Sequence, residues 1–215
     1  MRETRCMDTH ATTGALLPLL AVAQSQTYPD QTGPWLLKVS SPNPTDDGYY
    51  PAAGYVAAIT EQPLLTTRGN ADGFFFNYSA SSPNTIIDGF QTGVIIYKLP
   101  LRQPDPFNRT DLPSRWNIYG SGLSSNVAVT VFSARSGEGS RIGFDAGNKL
   151  FAVDRYGEFD ATVPYDQRVD KIFYQWYMCN TTWLGSYRYR TLAWVVRGEP
   201  VNKSCSPANV TRGSK

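Results

Sequence analysis

Histidine is nearly missing from this chain. The single one, His10, falls in a segment expected to be removed. A mature chain without it has no Ser–His or Cys–His nucleophile pair and no histidine metal site. Charge is sparse, at 18% of residues and a formal net +2. That excludes the basic signature of nucleic-acid or membrane-surface binding. No apolar stretch reaches the roughly 18 residues of a membrane span. The polar end Thr211–Lys215 lacks the hydrophobic tail of a lipid-anchor signal. There is no Walker loop, dinucleotide glycine fingerprint or EF-hand loop, and no local oxygen-rich cluster suits calcium. We therefore expect no cofactor and no metal, and neither nucleic acid nor membrane as a partner.

Cysteine is scarce too, with Cys6, Cys179 and Cys205 alone. Residues 1–23 read as a signal peptide. Arg2 and Arg5 open it, Ala15–Ala23 is a short apolar core, and Ala21-Val22-Ala23 offers small residues for cleavage. Removal would leave Cys179 and Cys205 as an even pair, expected to form a disulfide, with two free thiols as the alternative. A bridge would close a loop of about 27 residues and contribute roughly 3.5 kcal/mol. Five N-glycosylation acceptors, Asn77, Asn108, Asn180, Asn202 and Asn209, exceed what chance supplies and agree with export.

What is present is a wealth of aromatic and β-branched residues cut by turn signals. Glycine (18) and proline (15) are frequent enough for many turns and too few for a low-complexity polymer. After a loose lead-in over 24–33, a single domain over 34–211 is expected, with a polar tail over 212–215. Strands are predicted at Pro34–Ser41, Tyr55–Thr60, Gly73–Ser79, Thr85–Phe90, Gly93–Leu99, Ala128–Ala134, Arg141–Asp145, Lys149–Val153 and Glu158–Val163. Gln91-Thr92 is read as the link of the fourth and fifth, and Pro100–Pro113 as a surface loop. The aromatic runs Phe173–Cys179 and Tyr187–Val196 flank a link containing Gly185 and read as a hairpin. Val169, Ile172, Phe173 and Trp176 also recur at helical spacing with Asp166 as a candidate cap, which allows a short helical turn near 166–172. The class is all-β: about ten short antiparallel strands in a sandwich or a barrel.

Two reservoirs of chemistry remain. Asp145, Asp154, Glu158 and Asp160 lie in or beside proposed strands. Two of them could converge as a glycosidase pair, against the plainer reading of solvated turn and edge acids. Trp116, Tyr119, Trp183 and Tyr187 lie in turn-rich contexts and are candidate ligand contacts, since exposed rings stack on sugar faces. The plainer reading is ordinary core packing.

The C-terminal segments Trp176-Tyr-Met-Cys179, Tyr189-Arg-Thr-Leu-Ala-Trp194 and Gly198-Glu-Pro-Val-Asn-Lys-Ser-Cys205 resemble the ending of small secreted fungal cell-wall proteins of the phialide-associated (PhiA-like) type. The likeness covers about 30 residues. It implies secretion, a β-rich domain and a cell-wall or extracellular place, with no established catalysis. The expected function is a secreted, N-glycosylated structural or interaction protein, with cell-wall polysaccharide or an extracellular protein as partner. A carbohydrate- or partner-binding module and a carboxylate-dependent glycoside hydrolase are the alternatives.

Overall fold

Strand-forming runs and turn chemistry account for most of the architecture. The computed structural model describes residues 28–57, 60–120, 125–134, 137–155, 162–183 and 187–215. In chain order the strands are β1 (Asp30–Ser40), β2 (Tyr50–Ala57), β3 (Thr60–Thr66), β4 (Phe74–Tyr78), β5 (Ile86–Ile87), β6 (Phe90–Pro100), β7 (Asp111–Tyr119) and β8 (Val127–Ser133). They continue as β9 (Ile142–Phe144), β10 (Leu150–Arg155), β11 (Asp170–Phe173), β12 (Trp176–Trp183), β13 (Tyr187–Val195), β14 (Ser206–Pro207) and β15 (Asn209–Ser214). Helical residues among those described form three single 3-10 turns, one of them Tyr165–Gln167, at the edge of the span expected to turn.

Ten strands in the order β11-β10-β9-β6-β7-β8-β3-β13-β12-β14 make a curled antiparallel sheet, a half-barrel. β6 is the branch point: Ile96 pairs with Arg115 of β7 on one edge and with Phe75 of β4 on the other. β4 carries β1, and β1 carries β15. This arm returns to the sheet, because Thr211 bridges to Lys149 and Arg212 N–H donates to the Asn148 carbonyl at 3.0 Å.

The inward residues build one core. A row of rings crosses it: Tyr97 lies 6.2 Å from Phe74, Phe74 stacks on Phe132 at 5.2 Å, and Phe132 lies 5.0 Å from Trp116. Trp116 then meets Trp176 at 5.7 Å, and Trp176 meets Trp194 edge-on at 4.8 Å. Pairs of this kind contribute about 0.5–1.5 kcal/mol each beyond the area they bury. β12 and β13 are covered on both faces. Trp176, Met178, Leu192 and Trp194 face this core, while Cys179, Ala193 and Val195 pack with Val127 and Cys205 on the other side.

Several boundaries differ from expectation. β7 runs through Pro113, which was read as loop. β8 pairs with β7 only from Arg115 onward, so Pro113 has one unpaired edge where its missing N–H costs nothing. β3, across Glu61-Gln62-Pro63, replaces the end of the predicted Tyr55–Thr60 strand and forms a hairpin with β2. The β5–β6 link is Asp88-Gly89, with φ of 51° and 83°, the left-handed pair of a two-residue hairpin turn, and not Gln91-Thr92. Strand pairing also takes in Asp30 to Thr32 and Arg212 to Ser214, which had been assigned to lead-in and tail. Most of the predicted strand Glu158–Val163 lies outside the described residues.

Candidate functional site

The row of rings ends in two different environments. At the Trp194 end, Trp194 faces Ala128 across the β8–β13 pairing. With Ile118, Ala152 and Val196 they enclose a cleft of about 350 Å³, within the range of small-ligand sites. The two alanines are what leave the space. Ser140, Arg141 and Asp154 supply a polar rim. Ser140 is held there by accepting the Ile118 N–H at 2.8 Å. Arg141 pairs with Asp170 at 2.5 Å, and both side chains are partly exposed. In such a setting the pair contributes little to stability, so the guanidinium is available to a ligand at low cost. Tyr28 reaches the same charges. Burial pushes its phenol up, and Arg141, Glu138 and Arg115 bear on it.

At the Tyr97 end the chemistry is acidic. Glu61 on β3 is 2% exposed. Burial pushes its carboxyl up to about 7, opposed by one hydrogen bond, from the Ser114 hydroxyl at 3.2 Å. Its Oε1 has no partner among the described residues. Asp72 is also pushed up by burial, while the Ala53 N–H (2.8 Å) and Lys215 oppose the shift. Tyr97 is pushed up to about 12 by burial, then by the charges of Asp72 and Glu61. Two carboxyls and a phenol thus share one half-buried end of the barrel.

The residues singled out from sequence scatter. Trp116 is 0% exposed in the core, so it is not a surface ligand contact; its place on the inner face of β7 removes it from solvent. Tyr119, three residues on, is 41% exposed and shares no surface with it. Trp183 and Tyr187 are opposite each other in the β12–β13 register, and their side chains lie outside the description. Asp145 caps a turn, accepting from Gly147 N–H (2.9 Å), Lys149 N–H (2.8 Å) and the Tyr174 hydroxyl (3.0 Å). Burial, followed by that hydrogen bond, pushes the Tyr174 phenol up to about 12. Asp154 stands at the cleft rim, and Glu158 and Asp160 lie outside the described residues. Among described residues no cluster of three His, Cys, Asp or Glu could hold a metal ion.

Cys179 and Cys205 form a disulfide with their Cα atoms 4.1 Å apart. Beside it the Asn202 amide donates to the Asn180 carbonyl at 2.9 Å, so these two acceptors share one neighbourhood. Asn108, Asn180 and Asn209 are exposed, and Asn77 and Asn202 are half-buried. Asp46 ties the same tail down. It accepts from Arg190 at 2.8 and 2.5 Å and from the Ser206 hydroxyl at 2.8 Å.

Comparison with protein-family models, with curated proteins and with solved structures finds no match.

Sequence reasoning passed over Glu61, read Asp72 only as a turn residue and read Trp194 only as a strand residue. The available signal was the alternation of Glu61, Pro63 and Leu65 on one face, hidden by the strand-breaking look of Gln62-Pro63.

Proposed function

We propose that this chain is an exported, N-glycosylated protein of the extracellular space or cell wall that acts by binding, with the cleft beside Trp194 as its ligand site. One observation carries the reading: an apolar hollow whose rim holds a cation, a carboxylate and a hydroxyl. A sugar unit has the matching surface, with apolar C–H faces and hydroxyls that seek polar partners. The small compass of the cleft suits a chain end or single unit of a cell-wall polysaccharide. The Cys179–Cys205 bridge supports export, because such bridges persist in oxidising compartments. The exposed acceptors Asn108, Asn180 and Asn209 and the likeness to phialide-associated proteins support it further.

A glycan array with pull-down on chitin and β-glucan tests this. Retention of the wild-type protein is expected, weakened at least about tenfold in Arg141→Ala or Asp154→Ala, as loss of a charged partner implies. Failure of the wild type to bind any glycan refutes the carbohydrate reading. Binding indifferent to both variants places the site elsewhere.

A further inference from the structure

We propose that β2 and β3 form a pH-dependent latch, closed while Glu61 carries a proton and loosened once its carboxyl ionises. This does not depend on the identity of the cleft's ligand.

The geometry isolates Glu61. Pro63 and Leu65 share its face, and Leu65 packs against the core. From β7 only the Ser114 hydroxyl reaches it. β8 presents Phe132 at the matching register. From β2 the residue opposite is Tyr55, which is largely exposed. β6 brings Tyr97, the segment before β4 brings Asp72, and the charge of Lys215 bears on Asp72. Among the described residues no cation bonds to Glu61, and Oε1 has no partner. An ionised carboxylate in this place has one neutral hydroxyl as its hydrogen-bond partner and no bonded counter-charge among the described residues. It is therefore driven toward water.

The same residue is a tether. β3 joins β8 through only two register pairs, Thr60 with Ser133 and Glu61 with Phe132, and joins β13 through Leu64 with Thr191. Among the described strands β2 pairs only with β3, and it is held besides by the Ala53 N–H bonded to Asp72 and by the buried Val56. Drawing Glu61 out of the core pulls on one of those attachments and loosens β3 from β8, with β2 strained through its pairing to β3.

The sign follows from where the proton is held. A solvated glutamate releases it near 4.5, and the buried one holds it to about 7. The closed form is favoured fully below pH 4.5. That advantage shrinks as pH rises to 7 and is lost above it. Linkage makes the hairpin about 10²-fold easier to open at pH 8 than at pH 4.

Hydrogen exchange of the β2 and β3 amides, corrected for base catalysis, is the measurement. Protection should fall by about that factor between pH 5 and pH 8 in the wild type. It should stay level in Glu61→Gln, which mimics the protonated carboxyl. Equal losses in both proteins, or no loss in the wild type, overturn the latch. Should the variant fail to fold, the ¹³C titration of the wild-type Glu61 carboxyl decides together with the wild-type exchange. A midpoint near 4.5 overturns the latch, and one near 7 upholds it when the wild-type β2 and β3 amides lose protection over the same pH range.

Discussion

Asp46 and Glu61 are both almost wholly buried, at 1% and 2% exposure, yet their proton affinities move in opposite directions. Burial pushes both up. Around Asp46 the hydrogen bonds from Arg190 and Ser206, with the charge of Arg190, outweigh burial and hold the carboxyl below its ordinary value. Around Glu61 a single neutral hydroxyl opposes burial, and burial wins. The two regions do different work in consequence. Asp46 ties the loop after β1 to the C-terminal tail, while Glu61 leaves its hairpin dependent on a proton. Depth in the protein does not decide a carboxyl's behaviour; the charge placed beside it does.

The largest test converts one region into the other. Arg190→Ala leaves Asp46 buried without its counter-charge and should cost about 3 kcal/mol at pH 7, read by urea denaturation. Its stability should then recover on acidification, as Asp46 takes up a proton. Loss of stability at low pH in this variant would break the comparison. The wild type should behave in the opposite way at low pH. Asp46 contributes stability that is lost as pH falls below 3.8, and the Glu61 proton contributes stability that is lost as pH rises from 4.5 to about 7. As far as these two groups decide it, stability peaks where the windows meet, near pH 4.

A comparable loss, about 3 kcal/mol, is expected on replacing Cys179 and Cys205 by alanine. Because the bridge and Arg190 secure the same tail, combining the changes should cost less than their sum. Additive losses would show that the clasp is two independent devices. A smaller effect, about 1 kcal/mol, is expected for Ser114→Ala. Its informative readout is the Glu61 titration, which should move higher still once the one opposing hydrogen bond is gone. The smallest change belongs to Arg141→Gln, at the rim of the cleft. Its exposed pair with Asp170 should change stability by less than about 1 kcal/mol in thermal unfolding. A larger loss would mean that the cleft rim is structural.

Much of the fold was legible before any coordinates. Phe74–Tyr78, Val127–Ser133 and the hairpin of Ile142–Phe144 with Leu150–Arg155 appear close to where alternation and turn residues put them. β7 and β3 were obscured by Pro113 and Pro63, since local reading treats proline as a break while the sheet tolerates it at an unpaired edge. The site was less legible. Trp116 looked available because glycines and serines follow it, and only the curl of the sheet turned it inward. Glu61 drew no reading from the sequence, and only the approach of β7 and β8 removed its water.

The sequence by itself determined the all-β class and the antiparallel connections, and, given a Cys179–Cys205 bridge, the nearness of Asn180 to Asn202. Each follows from local propensity, or from two cysteines that pair and bring their neighbours with them. The tertiary structure alone decided that the sheet curls into a half-barrel, that Ala128 and Ala152 leave a cleft beside Trp194, and which buried acid received a cation. Those outcomes rest on contacts between residues far apart in the chain, such as Arg190 with Asp46 and Ser114 with Glu61, and neither local propensity nor spacing encodes them.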